Sequence, residues 1–108
     1  MIISPVVSNP RSVPAGGVVV VSCETRTNAG VLTTPGTSIT ITLFDPTGAT
    51  AQTATGMTAG STGQYTYVYA TVTTKNPGIY TLLITVTHTD GVSLFRSEPG
   101  WACNFEVV

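Results

Sequence analysis

The stretch NPGIYTLLITVT (Asn76–Thr87) decides the fold, because a turn signal runs directly into a long alternating pattern. Tyr80, Leu82, Ile84 and Val86 occupy every second position, and threonines fill most of the positions between them. Successive side chains of a β-strand point to opposite faces of its sheet. The stretch therefore predicts a strand with one buried face and one wet face, as in antiparallel sheets.

The composition of the whole chain agrees with that strand. Threonine makes up about one residue in five, and 11 glycines and 7 prolines divide the 108 residues into short segments. β-Branched side chains are stiff and suit a pleated surface. We therefore expect an all-β protein, and the length predicts a single domain over residues 1–108.

Charge is scarce, since only 8% of the residues are charged and the net charge is -1. An average soluble domain has about 25% charged residues. Nucleic acids and anionic membranes are bound by clustered Lys and Arg, and the chain has only four such residues. We predict no nucleic-acid or membrane partner. Two interpretations of the low charge stay open: a threonine-rich extracellular or virion surface, or a surface partly covered in an assembly.

Short alternating segments separated by turn signals recur along the chain and predict seven to eight antiparallel strands in a β-sandwich with hairpin and Greek-key connections. The predicted strands besides the opening one are Ile2–Val7, Val18–Thr25, Ser38–Phe44, Ala49–Thr55, Gln64–Thr73 and a final segment Val92–Val108. Val18–Val21 is apolar on both faces, which indicates burial or a partner at that end of its strand.

The final segment changes its pattern at Glu98-Pro99-Gly100. Val92 and Leu94 are apolar at even positions, whereas the apolar residues after the break are at odd positions. If both sets belong to one core, an extra residue must be absorbed between them. We therefore interpret Pro99-Gly100 as a bulge or short loop between two strand pieces.

The opening stretch also carries a family resemblance. Asn76-x-Gly78-x-Tyr80-x-Leu82 resembles the strand F signature of immunoglobulin-like domains, Asp-x-Gly-x-Tyr-x-Cys. The runs LFDPTG, GQYTYVY and PGIYTL are similar to those of immunoglobulin-like domains in bacterial surface proteins and bacteriophage virions. The resemblance implies an immunoglobulin-like β-sandwich in which Tyr80 is the corner tyrosine, with its hydroxyl bonded to the preceding loop. It also places Cys23 near the strand B cysteine position, while the absence of a strand C tryptophan excludes an antibody-type domain.

Cys23 and Cys103 both lie on predicted core faces, 80 residues apart along the chain. Two buried thiols that never meet, a disulfide between strand B and the final strand, and a metal or nucleophile role are the three alternatives. The third is the weakest, because the chain has no Cys-x-x-Cys motif and a single histidine.

No other residues indicate catalysis or a cofactor. A triad of His88, Asp90 and Ser93 can be imagined, but nothing in the sequence supplies an oxyanion hole or a pocket. The acidic residues are scattered singly, without a calcium loop. We therefore predict a protein that is not an enzyme, with no catalytic residue, no metal site and no cofactor.

Aromatic residues remain as candidate contacts. Tyr65, Tyr67 and Tyr69 share one face of a predicted strand, and we expect at least two of them in the core. Trp101 follows Pro99-Gly100 and is either a lid over the core or an exposed contact.

These features favour a non-enzymatic structural module of a larger assembly. The specific expectation is a bacteriophage virion protein, such as a capsid decoration protein, at the virion surface. Its partners would be capsid or other assembly subunits, and a homo-oligomer is a further option. The alternative is a protein- or carbohydrate-binding module of a bacterial surface protein or adhesin, on the cell surface or secreted.

Overall fold

The computed structural model describes residues 1–8, 12–14, 16–34, 38–70, 76–88, 91–97 and 104–108. These residues form ten β-strands and no helix. None of them therefore belongs to a helix that could cross a membrane. The strands are β1 Ile2–Ser8, β2 Ser12–Val13, β3 Val18–Arg26, β4 Ser38–Phe44, β5 Thr50–Gly56, β6 Thr58–Ala59, β7 Gln64–Ala70, β8 Gly78–His88, β9 Gly91–Arg96 and β10 Phe105–Val107.

The strands pair into two sheets that enclose one core. One sheet has the order β1-β3-β7-β6, and the other has the order β2-β10-β8-β4-β5, with β9 also paired to β8. The pairing of β2 with β10 is parallel and the other pairs are antiparallel. Strands β9 and β10 follow each other along the same edge of β8, and β1 and β2 are successive pieces of the N-terminal segment that lie in different sheets. If β1 with β2, and β9 with β10, are each counted as one interrupted strand, the ten described strands reduce to eight, which agrees with the predicted seven to eight.

Strand β8 is the opening stretch, and it lies at the centre of its sheet. Its 11 residues pair with β4 on one side and with β9 and β10 on the other. The side chains of Tyr80, Leu82, Ile84 and Val86 are all 0% exposed. Full burial of such a side chain contributes about 1.5–3 kcal/mol, so β8 supplies a large share of the core. The prediction of a half-buried strand is confirmed.

The strand boundaries agree with the predicted ones to within a residue or two in most places. Strand β5 starts and ends one residue later than expected. Between the predicted strands Ala49–Thr55 and Gln64–Thr73, where the sequence predicts no strand, lies the two-residue strand β6, which pairs with β7. A strand this short carries too little periodicity to be recognised in sequence, since it forms by pairing with a neighbour.

The final segment corrects one expectation. Val92 and Leu94 are 59% and 65% exposed, so they lie on the outer face of the sheet and do not share the core with later residues. The inward positions are odd on both sides of the break, since Phe95 packs against the core and Phe105 is buried in it. The two strand pieces are present, but residues 98–103 between them, which include Pro99-Gly100, lie outside the described part of the chain.

Ser97 shows how β9 ends. Its backbone N–H donates to the carbonyl of Leu82 at 2.9 Å, as in a regular ladder. The return bond differs, because the N–H of Leu82 donates to the side-chain Oγ of Ser97 at 2.8 Å. Ser97 is buried, and a buried N–H without an acceptor is costly. The hydroxyl therefore takes the place of a backbone carbonyl where the chain leaves β8.

Candidate interaction surfaces

Tyr80 joins the start of β8 to the preceding loop. Its hydroxyl donates to the carbonyl of Asn76 at 2.8 Å, which is the bond that the resemblance implies for a corner tyrosine. Its ring stacks on Phe105 with the centroids 5.2 Å apart. Burial raises the pKa of the Tyr80 hydroxyl, which stays protonated and able to donate. The residue holds the corner of the sandwich in place and has no exposed reactive atom.

The turn between β4 and β5 is tied to the same loop. The carboxylate of Asp45 accepts from the hydroxyl of Thr47 at 2.6 Å and from the backbone N–H groups of Thr47 and Ala49. It also accepts from Asn76 Nδ2 at 3.3 Å. The hydrogen bonds from Thr47, above all, lower the pKa of Asp45. Gly78 has a φ of 133° and lies so close to Pro46 that an added Cβ would be 2.7 Å from its Cγ. These contacts account for Asp45 as a turn residue.

Cys23 lies in the core on β3 as a free thiol and is 2% exposed. Burial raises the pKa of this thiol to about 11. Since the thiolate is the nucleophile and metal ligand, a protonated buried thiol serves neither purpose. Cys103 lies outside the described residues, so the choice between two separate thiols and a disulfide is not tested.

His88 lies at the end of β8, with its Nε2 3.1 Å from the Oγ of Ser93. The two residues are diagonal neighbours on paired strands. Asp90, the third member of the imagined triad, falls outside the described residues. Within the described ranges, no group of three or more His, Cys, Asp or Glu residues could hold a metal ion.

The tyrosines of β7 contribute to the core. Tyr65 and Tyr69 are buried, and Tyr67 is half-buried against the core cluster. The expectation that at least two of them are core residues is confirmed. These three residues therefore do not form an exposed aromatic row of the kind that binds sugars. Trp101, the remaining aromatic candidate, is outside the described part of the chain.

The outer face of the sheet β1-β3-β7 presents a contiguous group of small apolar side chains, which we call the valine face. Within β3 and β7, Val20 pairs directly with Val68, and Val18 pairs with Ala70. Val6 of β1 lies one diagonal step from Val20. The exposed fractions are 61% for Val6, 48% for Val18 and 58% for Val68. Contiguous exposed apolar residues mark interaction sites more often than scattered ones do.

An open depression of about 370 Å³ adjoins the valine face on the same three strands. Its lining includes the short side chains Ser4, Ser22 and Thr66, and the longer side chains Glu24 and Gln64. Glu24 pairs with Arg26 at 3.2 Å and accepts from Gln64 at 3.4 Å. The Glu24 carboxylate thus already has partners within the chain. The depression is therefore an open surface feature beside the valine face.

The outer face of the other sheet is mainly threonine. Thr40 and Thr85 are directly opposite each other on β4 and β8. Leu94, on β9, pairs with Thr85. The guanidinium of Arg96 lies 4.9 Å from the centre of the Phe44 ring and covers part of that ring. Val92 and Leu94, two residues apart on β9, are 59% and 65% exposed, so this face also presents apolar side chains among its threonines.

Two of the strand edges, those of β1 and β5, are poorly suited to pairing with another strand. Pro5 lies in the middle of edge strand β1. Proline has no backbone N–H, so this edge lacks one hydrogen-bond donor. Edge strand β5 has two register shifts against β4, and such bulges twist an edge away from a flat partner. Pairing with another strand through these two edges is therefore unfavourable, whereas β9, which pairs with β8 alone among the described strands, has a regular register.

The fold and these surfaces define the class of the protein: an all-β chain with an immunoglobulin-like β-sandwich. Among solved structures, the chain is similar to one described as the crystal structure of the Lin-41 filamin domain, which has an immunoglobulin-like fold. The TM-score is 0.62 and the identity is 19%, over 98% of this chain and 91% of that chain. At this identity the similarity shows the fold alone. No protein-family model matches the sequence, and no curated protein matches it.

The valine face was only partly visible in the sequence. The run Val18–Val21, apolar on both faces of its strand, is the signal that indicated it. Val6 and Val68 come from distant segments, and only the pairing of β1 and β7 with β3 brings them beside Val20.

Proposed function

We propose that the chain is a single-domain, non-enzymatic structural module of a larger assembly, and that this assembly is a bacteriophage virion whose capsid it decorates. The observation that carries the assembly part of the proposal is the valine face, and the bacteriophage part rests on the resemblance of the runs LFDPTG, GQYTYVY and PGIYTL. An uncovered patch of valines on the flat side of a sandwich exposes apolar area to water, and covering that area is favourable by about 25 cal/mol per Å². In a subunit that is permanently part of an assembly, neighbouring subunits cover such an area.

The charges of the described residues favour a component of an assembly over a protein that attracts charged ligands electrostatically. Glu24 and Arg26 pair with each other, Asp45 belongs to its turn, and Arg96 lies over Phe44. Recognition of nucleic acid or of an anionic surface needs clustered free cations. Contacts of this module with its neighbours would therefore depend on shape and apolar area.

The non-enzymatic part of the proposal is supported by the residues that sequence analysis singled out for chemistry. The Cys23 thiol is buried and has a raised pKa, and the His88–Ser93 pair lies at a strand end. Catalysis by a nucleophile also needs an activating base and an oxyanion site close to it. The described neighbours of these residues make strand and turn contacts instead.

Purified virions from the source of the sequence provide the test. Antibodies raised against the recombinant chain are used for immunoelectron microscopy, and peptide mass spectrometry measures the ratio of the chain to the major capsid protein. We expect surface labelling and a constant ratio between preparations. Absence from purified particles, or enrichment in a bacterial cell-wall fraction instead, would contradict the virion assignment.

A further inference from the structure

We propose that the open edge of β9 pairs with β9 of a second copy, so that the two chains continue one sheet into the next through an antiparallel two-fold contact. This contact uses a different surface from the valine face and does not rest on the virion assignment. Three observations lead to it: the directions of the β9 backbone groups, the protection of the other strand edges, and the symmetry of the residues that would meet.

The hydrogen bonds between β9 and β8 show which backbone groups of β9 point away from the sheet. The N–H of Ser97, the residue after β9, donates to the carbonyl of Leu82 at 2.9 Å. Hydrogen-bonded positions alternate along an antiparallel pair, and the register of β9 against β8 is unbroken. The N–H and C=O groups of Val92, Leu94 and Arg96 therefore point toward the open edge.

These outward groups identify the occupant of the edge as an extended polypeptide. Among the described strands β9 pairs with β8 alone. No backbone hydrogen bond joins Val92, Leu94 or Arg96 to a described residue outside the strand ladders. A row of N–H and C=O groups at the spacing of a strand is complementary to another strand, as in β-strand addition.

The other described edges are protected against such pairing. Prolines, bulges and very short strands keep a sheet edge from pairing with copies of the same protein. Pro5 interrupts the edge of β1, two register shifts interrupt that of β5, and β2 is two residues long. Strand β6 covers part of the β7 edge and leaves the four residues Tyr67–Ala70. The six residues of β9 are the longest described edge without an interruption, so this edge is available to other copies of the chain.

The charged residue of β9 is directed away from the open edge. Lysine or arginine on an edge commonly opposes pairing. The guanidinium of Arg96 instead lies 4.9 Å from the centre of the Phe44 ring. Phe44 belongs to β4, which pairs with β8 on the side opposite to β9. The side chains that remain beside the edge are those of Val92 and Leu94, which are 59% and 65% exposed.

The symmetry of these residues favours a second copy as the source of the strand. A two-fold axis at Leu94 sets Leu94 opposite itself and Val92 opposite Arg96 of the second copy, and all the outward N–H and C=O groups of both strands then have partners. The exposed Val92 and Leu94 side chains of the two copies form one apolar strip. The two Arg96 residues are about 14 Å apart, beyond the screening length of about 8 Å at physiological salt, so like charges do not meet.

Sedimentation velocity of the full chain from about 10 μM to about 1 mM, the range of weak association, measures the dimer. Three outward residues on each copy form a short contact, so we expect the average mass to rise with concentration from the 11.2 kDa monomer toward twice that mass. Leu94→Lys and Leu94→Glu each set two like charges opposite each other across the axis. We expect each variant alone to have a dissociation constant raised about tenfold. An equal mixture of the two should associate at least as well as the parent chain, because opposite charges then face each other.

Val68→Lys, at a similarly exposed position on the other sheet, is the matched control and should dimerise like the parent chain. Circular dichroism and thermal unfolding establish that each variant is folded before the comparison. A parent chain that stays monomeric at about 1 mM would overturn the dimer. A mixture of the two Leu94 variants that associates no better than either alone, or an equal loss in Val68→Lys, would overturn the β9 contact.

Amide hydrogen exchange locates the contact on the backbone. We expect exchange at Val92, Leu94 and Arg96 to slow as the concentration rises, whereas the amide of Ser93, which faces β8, should exchange at the same rate throughout. Slowing at Val68 in place of Leu94 would assign the contact to the β7 edge and contradict the proposal. The virion experiment has a separate outcome: a chain found on virions but monomeric in solution contradicts the β9 pairing alone, and a β9 dimer absent from virions contradicts the virion assignment alone.

Discussion

Replacing Tyr80 by phenylalanine tests whether the tyrosine corner stabilises the sandwich. The substitution removes the hydroxyl that donates to the Asn76 carbonyl at 2.8 Å, and it keeps the ring that stacks on Phe105. The net contribution of one such hydrogen bond is about 1 kcal/mol. Asn76 is exposed, so water can reach the carbonyl that loses its donor, and we expect a loss of about 1 kcal/mol in the free energy of unfolding.

Urea unfolding followed by tryptophan fluorescence or circular dichroism measures that loss, and the melting temperature should fall by about 4 °C. Tyr67→Phe is the control, because Tyr67 is a half-buried tyrosine that packs against the core and is not a corner residue. We expect a smaller effect for the control. If Tyr80→Phe is as stable as the parent chain, or if the two variants lose the same stability, the corner bond does not have the role given to it here.

Three further substitutions or measurements test other parts of the structure. Ser97→Ala leaves the buried N–H of Leu82 without its acceptor, and urea unfolding should show a loss of about 1–3 kcal/mol; a loss below that range would contradict the role of the hydroxyl. Asp45 has a folded pKa below its ordinary value of 3.8, so its carboxylate stabilises the fold above that pH and loses this effect as the pH falls through the folded pKa. The stability difference between the parent chain and Asp45→Asn should therefore shrink below pH 3.8, and a difference that is constant with pH would refute the assignment. In a Cys103→Ser variant, iodoacetamide should modify Cys23 only after unfolding, because the thiol is buried and has a pKa of about 11; rapid modification of the folded variant would contradict its burial.

Much of the fold could be predicted from the sequence because its main strands carry strong local patterns. The alternation in β8 and in β4 specifies which side chains face the core, and the Asp45-Pro46 turn between β4 and β5 has a local chemical signature. Strand β6 and the break after β9 depend on long-range pairing. The sequence therefore does not show that β6 is a strand or that Val92 and Leu94 face outward.

The interaction surface was harder to predict for the same reason. Three strands from separate parts of the chain contribute to the valine face, and their registers decide which residues become neighbours. The single-residue candidates depended on local features, and among the described residues Cys23, Tyr65, Tyr69 and Tyr80 are core residues. A surface built from valines has no sequence motif, so the arrangement of the strands is needed to recognise it.

Cross-saturation NMR of the deuterated chain with labelled valine methyl groups, recorded with purified capsid shells present, tests most directly whether the valine face is the surface that the assembly covers. We predict that saturating the protons of the shells reduces the methyl signals of Val6, Val18, Val20 and Val68 together. The signal of Val92, which is 59% exposed on the opposite sheet, should keep its intensity. A loss at Val92 without a loss at Val20 and Val68, or no loss at any valine, would contradict the account.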